Sequence, residues 1–355
     1  MKILFTGGGT MGPVTPLLAV AEEIREKNVD TDFYFIGTTD GPEEAVVREY
    51  NIEFRSIVSG KLRRYFSFLN FVDLFKIIFG FFQSLIYLFK LRPSAIVSAG
   101  GYVAVPVVFA GWLLGIPSII HQQDVRVGLA NKLCAKVARY ITVCFPESSS
   151  YFNQKKVSVI GNPIRKSFGE KIKKIKSDFG FQSSLPVVLI IGGGTGAESL
   201  NNYVEDSIRE LVKFCSVIHI TGDDKESGNL TINNYIKYKF LKNSCEVLQV
   251  ADLIVSRAGM GTLTEIAYLS KPSIIIPIPN SHQELNAAYF AGRSGALNLN
   301  QKGLDEDGFV EAIKGLIDNK EKMKKLGSRA NKVIKWGAEG KIAELALKFD
   351  KKKNS

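Results

Sequence analysis

Two glycine-rich segments of nearly the same sequence lie far apart in the chain, and each directly follows a short apolar run. The first is Gly7-Gly-Gly-Thr-Met-Gly12 after Lys2–Thr6, and the second is Gly192-Gly-Gly-Thr-Gly196 after Val187–Ile191. A buried strand that runs into glycines and then a helix is typical of a phosphate-binding turn, because glycine allows close backbone approach and the helix N-terminus offers N–H groups. The repetition predicts two similar α/β domains that face one another.

Length and charge narrow the class of protein. The chain has 355 residues, which suits two domains. Its formal net charge of +11 indicates an anionic partner (a phosphorylated substrate, nucleic acid or acidic lipid) or an even excess of surface lysine. Zinc-finger spacings, RNP-type aromatic motifs and long Lys/Arg blocks are missing from the sequence, so we expect no nucleic-acid partner.

Cysteine usage and the N-terminal sequence both favour the cytoplasm. The four cysteines are scattered without a CxxC pair, as expected of buried packing residues in a reducing compartment. The first strand pattern begins at Lys2 with no signal peptide before it.

Strand and helix patterns alternate in both halves, which predicts parallel sheets with helices on both faces. We expect domains at 1–164 and 165–335, then a C-terminal helix and tail at 336–355 that return to the first domain. Ligands of such sheets bind at the carboxyl ends of the strands, so we expect the site in a cleft between the domains. The predicted strands are 2–6, 32–37, 52–57, 94–98, 117–121, 140–144, 156–160, 186–191, 215–220, 252–256, 273–277 and 295–299, with helices between them, for example 14–27 and 128–138.

Residues 68–89, from Phe68 to Phe89, form an unusually aromatic stretch (FLNFVDLFKIIFGFFQSLIYLF). Polar residues interrupt it, and its uncharged part is shorter than the roughly 20 apolar residues of a membrane span. One interpretation is a core helix that covers the sheet. We favour a helix whose outer face lies in an anionic membrane surface. Basic residues would aid this attachment on both flanks, at Lys61, Arg63, Arg64, Lys90 and Arg92.

The first glycine segment also fits GxGxxG, so a dinucleotide site needs to be considered. That site requires an acidic residue at the end of the second strand, to bind the ribose hydroxyls. Here the second strand ends in Gly37-Thr-Thr39, and Asp40 comes late. The pattern therefore disfavours a dinucleotide cofactor. Asp30-Thr-Asp32 resembles a DxD metal motif, but it precedes a strand, and we interpret it as a loop.

A third glycine turn carries more specific chemistry. The apolar run 252–256 continues through Arg257 into Ala258-Gly-Met-Gly-Thr-Leu-Thr-Glu265. Such a turn can hold a diphosphate on backbone N–H groups. Glu265 lies one helical turn further on, where a carboxylate can accept hydrogen bonds from ribose hydroxyls or simply interact with the helix dipole.

With these motifs in place, the whole chain resembles glycosyltransferase family 28, whose members have the GT-B fold. The family members it resembles transfer N-acetylglucosamine from UDP-GlcNAc to lipid I and so form lipid II of peptidoglycan. The similar stretches occur in the family's order over nearly the full length: GGGTMGPVTPLLAVA (7–21), GGYVAVPV (100–107), GIPSIIHQQDVRVGLANK (115–132), GNPIR (161–165), GGGTGAESLN (192–201), SRAGMGTLTEIA (256–267) and HQELNA (282–287).

The resemblance implies a role for each matching residue. Arg165 and the loop around Gly194 would bind the UDP diphosphate, Leu241 would present main-chain groups to uracil, and Glu265 would bind the ribose. Gln283 would bind the sugar hydroxyls. The family uses no metal or cofactor for this reaction. Phosphate contacts would come from Met260, Gly261, Thr262, Leu263 and Thr264, and the acceptor and reaction centre would face Thr10, Met11, Gly12 and Asp124.

Three departures from the family pattern affect the site. Pro13 replaces a histidine, Asp124 replaces an asparagine, and Gly194 replaces a serine. Because proline cannot accept a proton, we take Asp124 as the replacement base and His121 as a weaker candidate. Alternatively, Asp124 caps the helix that starts near Gly128 or binds a sugar hydroxyl.

The departures leave the sugar-nucleotide prediction intact and widen the choice of acceptor. The family implies UDP-GlcNAc and undecaprenyl-linked lipid I as substrates, with a peripheral location on the cytoplasmic face of the cell membrane. Two alternatives stay open. One is a related glycosyltransferase with another lipid or polysaccharide acceptor, and the other is an inactive UDP-sugar-binding paralogue.

Overall fold

The protein is described by a computed structural model that covers residues 1–350, except 29, 61–68, 172–174, 182–183, 193–197, 223–231, 240 and 242–243. Phe68, the first basic flank of the aromatic stretch, Gly194 and the last five residues therefore lie outside the described residues. The chain forms two compact units: unit 1 is Met1–Lys166 with Lys335–Ser355, and unit 2 is Ser167–Ile334.

Unit 1 is built on a parallel sheet. Within the described part of the unit, seven strands lie in the order β3-β2-β1-β4-β5-β6-β7. The chain moves outward from β1 to β3 and then crosses to β4, so the strand order reverses between β1 and β4. In open α/β sheets such a reversal forms a crevice at the carboxyl ends of the strands. The strands are Lys2–Thr6 (β1), Asp32–Thr38 (β2), Glu53–Ile57 (β3), Ala95–Ser98 (β4), Ser118–Gln122 (β5), Tyr140–Val143 (β6) and Val157–Val159 (β7).

Helices cover both faces of this sheet. The helix Thr15–Lys27 (α1) packs against the C-terminal helix Ala338–Leu347 (α13) over one buried cluster. The second cluster lies under Leu69–Leu91 (α3) and Ala104–Leu113 (α4), which pack on each other. The remaining helices of the unit are Glu43–Glu49 (α2), Leu129–Cys134 (α5) and Pro146–Ser149 (α6).

Unit 2 repeats this plan with six strands among its described residues, in the order β10-β9-β8-β11-β12-β13. Its strand order reverses between β8 and β11, the strand that precedes the third glycine turn. The strands are Val187–Ile191 (β8), Ser216–Ile220 (β9), Tyr235–Tyr238 (β10), Leu253–Ser256 (β11), Ser273–Ile275 (β12) and Leu297–Asn298 (β13). The helices are Glu198–Leu211 (α7), Ser244–Val250 (α8), Met260–Tyr268 (α9), Gln283–Gly292 (α10), Glu306–Ile317 (α11) and Lys320–Val333 (α12), with short 3-10 helices at Lys166–Gly169 and Lys176–Phe179.

The predicted α/β class with parallel sheets is confirmed, with differences at individual elements. The sequence prediction missed β10, because this half-buried edge strand has no continuous apolar run. The helix predicted at 128–138 ends at Cys134. The chain continues through turns at 135–137, and the Arg139 amide then pairs with the Ser118 carbonyl at 2.9 Å, where the chain joins the sheet.

Helix α3 has two very different sides. Its inner side contacts α4 and β3, buries Ser84 and Leu88, and uses Gln83 to accept a hydrogen bond from the Val58 amide at 2.9 Å. The segment Asp73–Leu91 is long and apolar enough to cross a membrane, with a mean hydropathy of 1.6, and 17% of it is buried. Its outer side exposes an apolar stripe, the α3 stripe, made of Leu74, Phe75, Ile78, Phe79, Phe82, Ile86 and Phe89.

Candidate functional site

The turn after β11, the α9 turn (residues 257–262), presents an open helix N-terminus. Gly259 is the N-cap of α9 in an extended conformation, and it has no side chain to cap the helix. Leu263 donates the first backbone hydrogen bond, to Gly259 at 3.0 Å, so the amides of Met260, Gly261 and Thr262 precede the bonded part of the helix. This end suits an anion such as a diphosphate, since its N–H groups and partial positive charge point the same way.

Helix α10 holds the α9 turn from behind with two neutral amides. Gln283 Oε1 accepts from the Ala258 amide and from the Ile278 amide, both at 3.2 Å. Asn286 Nδ2 donates to the Ala258 carbonyl at 3.1 Å, and this side chain is fully buried. The turn is thus fixed on both sides of Ala258 without adding negative charge. With its oxygen bonded internally, Gln283 has its NH2 group to offer to a ligand oxygen.

Arg257 connects the strand ends around the α9 turn. Its Nη1 donates to the Ile276 carbonyl at 2.9 Å and to Gln301 Oε1 at 2.8 Å, and its Nη2 donates to Ser199 Oγ at 2.6 Å. The side chain is only 5% exposed, and this burial lowers the pKa of its guanidinium. No role for Arg257 was predicted from the sequence. The available signal was a cation placed directly after a buried strand.

The structure narrows how the other predicted donor residues can act. The side chains of Met260, Leu263 and Thr264 are buried, and the Thr264 hydroxyl donates to the Met260 carbonyl at 2.7 Å. Met260 can therefore offer a ligand its backbone amide, whereas the Leu263 amide is bonded to Gly259 and Thr264 lies in the bonded part of the helix. Glu265 is half-buried one helical turn further along α9.

Two predicted donor residues are remote from this turn in sequence. Leu241 lies between β10 and α8, is partly exposed and has undescribed neighbours on both sides. Gly194 belongs to the second glycine loop, which lies outside the described residues except for Gly192. Their predicted roles stay predictions.

The first glycine loop (residues 7–12) and the end of β5 come together in unit 1. Gln123 Nε2 donates to the Gly12 carbonyl at 3.0 Å, which joins the two segments. The Met11 carbonyl accepts from the Val14 amide at 3.0 Å and starts the turn into α1, while Thr10 and Gly12 are exposed. The predicted acceptor-side residues are therefore neighbours in space.

Asp124 follows β5 and is partly exposed. Its backbone carbonyl accepts from Gln122 Nε2 at 2.9 Å and from Ser148 Oγ at 3.1 Å, which fixes the segment. The pKa of the neighbouring Cys144 thiol is raised well above its usual value, first by burial and further by the Asp124 charge. The N-cap position of α5 belongs to Gly128, so Asp124 does not occupy it.

His121, the weaker candidate base, is buried in the structure. Its Nδ1 is 3.0 Å from Thr142 Oγ1 and its Nε2 is 2.8 Å from Asn162 Oδ1, so both ring nitrogens are hydrogen-bonded. Burial lowers its pKa to about 4, and only 1% of the residue is exposed. His121 therefore joins β5, β6 and the 161–165 segment and is closed to a substrate.

Arg165 lies in unit 1. It lies near Tyr50: burial raises the pKa of the Tyr50 phenol, and the charge of Arg165 lowers it. The charge of Glu22 raises the pKa of the same phenol, and the Glu22 carboxylate accepts from the Lys166 amide at 2.9 Å. The residues predicted to bind the diphosphate are thus divided between unit 1, with Arg165, and unit 2, with the α9 turn.

Comparison with known proteins covers both units. Residues 3–143 match the N-terminal domain of glycosyltransferase family 28, and residues 187–339 match its C-terminal domain. A relative from Legionella pneumophila (strain Paris) is 35% identical over 94% of this chain and 95% of its own length. A relative from Clostridium tetani (strain Massachusetts / E88) is 35% identical over 99% of both chains. Both are named UDP-N-acetylglucosamine--N-acetylmuramyl-(pentapeptide) pyrophosphoryl-undecaprenol N-acetylglucosamine transferase.

The fold is also that of a solved relative. The crystal structure of Acinetobacter baumannii MurG matches with a TM-score of 0.72 at 24% identity, over 98% of this chain and 99% of that one. This likeness confirms the predicted GT-B fold, and the family matches confirm the resemblance drawn from the motifs. The chain belongs to glycosyltransferase family 28.

Proposed function

We propose that this protein transfers N-acetylglucosamine from UDP-N-acetylglucosamine to the N-acetylmuramyl sugar of undecaprenyl-pyrophosphoryl-MurNAc-pentapeptide (lipid I). The product is lipid II, the precursor of peptidoglycan. The proposal rests on the near-full-length similarity to relatives that carry the name of this activity.

The assignment of the UDP-binding site rests on the open N-terminus of α9. Its first amides precede the bonded part of the helix, and two neutral side chains of α10 support the turn. We assign the UDP diphosphate to these amides, with Arg165 as an additional charged donor. Glu265 takes the ribose hydroxyls, Leu241 the uracil and the Gln283 NH2 group a sugar hydroxyl.

The reaction on this assignment is an inverting displacement. An acceptor hydroxyl oxygen forms a bond to C1 of the sugar while the bond from C1 to the diphosphate oxygen breaks. The hydroxyl proton passes to the Asp124 carboxylate, which acts as general base. The charge that develops on the leaving UDP is stabilised by the α9 amides.

Turnover assays test this function. We expect the protein to release UDP from UDP-N-acetylglucosamine in the presence of a soluble lipid I analogue, and to form the disaccharide product. A panel of other UDP-sugars and lipid-linked acceptors serves as the comparison. Faster turnover with a different acceptor would favour another glycosyltransferase of the family. UDP binding without turnover on any acceptor would identify an inactive sugar-nucleotide-binding relative.

We further propose that the protein attaches peripherally to the cytoplasmic face of the cell membrane through the α3 stripe. Phe75 and Phe89 are each 63% exposed, and the inner side of the helix packs on unit 1, as an interfacial helix requires. Exposed Lys76, Lys90 and Arg92 add attraction to anionic lipids. This attachment brings the protein to its proposed acceptor, which is linked to a membrane lipid.

Vesicle sedimentation tests the attachment. We expect binding to vesicles that contain anionic lipid, with partial release by salt, because the basic residues act within a Debye length. Replacing Phe75, Phe79 and Phe82 by serine should weaken binding on the order of 100-fold or more, since three apolar contacts are lost. Ile175→Ser, an equally exposed apolar residue in unit 2, is the matched control. Unchanged binding of the triple variant would contradict the proposal.

A further inference from the structure

The first glycine loop already contains an anion of its own, the carboxylate of Glu43. Glu43 begins α2 and is fully buried. Its Oε1 accepts from the Thr38 amide at 2.7 Å and from the Thr38 hydroxyl at 2.5 Å. The Gly9 amide lies 3.4 Å from both carboxylate oxygens. The two amides can only donate, so the side chain acts as an acceptor at the end of β2 and at the loop.

The surrounding glycines leave room for this carboxylate. A Cβ on Gly8 or Gly41 would come into steric conflict with Glu43 atoms, and a Cβ on Gly37 would conflict with the Phe54 ring and lie 3.0 Å from Glu43 Oε1. Gly8 also has φ of 153°, which an L side chain rarely adopts. These three glycines come from two segments that are distant in sequence. Together they leave space for one buried acidic side chain, and a turn at the surface would not require that space.

Tyr102 closes the other side of the loop. A Cβ on Gly9, which has φ of 80°, would lie 2.6 Å from Tyr102 Cε1. Burial raises the pKa of the Tyr102 phenol, and the nearby Glu43 charge raises it further. Gly9 is thus held between an acidic and an aromatic side chain. These contacts on both sides of Gly9 also fix the position of Thr10 and Gly12, the next exposed residues.

We propose that Glu43 is a positioning residue that takes the place of a bound anion in the first glycine loop and so orients Thr10–Gly12 toward the acceptor. This inference rests on the proposed function for the acceptor side. Because the carboxylate occupies the Gly9 amide and adds negative charge beneath the loop, the loop recognises the sugar end of the acceptor and does not bind a phosphate through Gly9.

The test compares Glu43→Gln with Glu44→Gln. The amide oxygen of the first variant can keep both bonds to Thr38, while its NH2 group then faces the Gly9 amide, so the change falls on the loop. Glu44 neighbours Glu43, is partly exposed and pairs with Arg48 at 2.8 Å, which makes it the matched control. The readouts are acceptor KM, UDP affinity by calorimetry and hydrogen exchange of the loop amides.

We expect Glu43→Gln to raise the acceptor KM about tenfold, as for loss of a hydrogen bond to a charged group. Loop amides 7–12 should exchange faster, and UDP affinity should stay within about twofold. Glu44→Gln should match the parent throughout. Glu43→Asp keeps the charge but draws it back from Gly9, so it should show the same changes more weakly, and it carries the test if the glutamine variant fails to fold.

Parent-like exchange and acceptor KM in both Glu43 variants would overturn the proposal. An equal loss of UDP affinity would also overturn it, because the effect would then be general. Exchange needs no acceptor, so it still decides whether Glu43 holds the loop if the parent does not use a lipid acceptor. If the parent does not use a lipid acceptor, the proposed function is wrong, and the exchange result on Glu43 stands independently of it.

Discussion

The first glycine loop and the α9 turn follow the same sequence pattern and are completed in opposite ways. Behind the first loop lies a buried carboxylate, Glu43, at hydrogen-bonding distance from the Gly9 amide. Behind the α9 turn lie two carboxamides, Gln283 and Asn286, which bond the two sides of Ala258. One turn is filled by its own anion, and the other presents amides supported by neutral groups.

This difference teaches that a strand, glycines and a helix do not by themselves define a phosphate site. Whether the amides are available depends on a side chain that arrives from another element, α2 in one unit and α10 in the other. The first loop and the α9 turn are therefore alike only in their local sequence. We expect the α9 turn to control donor affinity and the first loop to control use of the acceptor.

The largest expected effect is that of Asp124→Asn, which should lower the rate and leave donor binding unchanged. This change keeps the shape of the side chain and removes its ability to take a proton, so kcat should fall by about 10²–10⁴, as for loss of a general base. UDP affinity should not change, because the proposed contacts to UDP come from other residues, namely the α9 turn, Arg165, Leu241 and Glu265. Steady-state kinetics and calorimetry measure the two effects. A variant with the parent rate and the parent pH profile would exclude Asp124 as the base.

The converse change is Glu265→Ala beside the α9 turn. Loss of a charged hydrogen-bonding partner should weaken UDP binding by about 1.5–3 kcal/mol, which is about 10- to 150-fold in Kd. Calorimetry of UDP binding measures this, with Glu284→Ala on the exposed side of α10 as the control. Equal affinities in the two variants would remove Glu265 from the donor site.

Each unit also contains one buried histidine, so the effect of acid on the stability of the two units can be compared. Burial lowers the pKa of His121 to about 4, and burial with the nearby Lys237 charge lowers the pKa of His219 to about 3. In the unfolded chain both histidines bind protons below about pH 6.5, whereas in the folded chain they stay neutral until about pH 4 and pH 3. The stability that depends on these two histidines is therefore complete above about pH 6.5 and is lost as pH falls.

At about pH 5 each histidine should cost about 2 kcal/mol of unfolding free energy relative to about pH 7.5. Chemical denaturation at the two pH values measures the loss. His121→Asn and His219→Asn should each show a smaller further loss at the lower pH, although each variant starts less stable. A pH dependence identical to the parent's in either variant would show that the histidine it lacks is not a source of the acid sensitivity.

The smallest expected effect compares one glycine from each turn. Gly8→Ala should lower the unfolding free energy by about 1–2 kcal/mol, because its φ is 153° and its Cβ would conflict with Glu43. Gly259→Ala should stay within about 0.5 kcal/mol of the parent, since its φ is −72° and no atom lies within 4 Å of the added Cβ. Thermal and chemical denaturation measure both. Similar losses would contradict the contrast between the turns.

Much of the fold and the turn positions could be predicted because they rest on local patterns. Apolar runs followed by glycine located β1, β8 and β11, and the matching order of motifs indicated the family. Residues whose roles depend on distant partners escaped prediction. Glu43 and Arg257 look like ordinary charged residues in sequence, and Thr264 looks like a ligand-facing hydroxyl until its bond to Met260 is seen.

The sequence by itself determined the two parallel sheets, the glycine turns at strand ends, the apolar α3 helix and membership of the family, since periodicity and short motifs depend on neighbouring residues. Only the tertiary structure decided which turn is filled by a carboxylate, which face of α3 is exposed and that His121 is buried beyond reach of a substrate. The physical reason is that burial and hydrogen-bond partners come from elements far apart in the chain, and no local pattern records them.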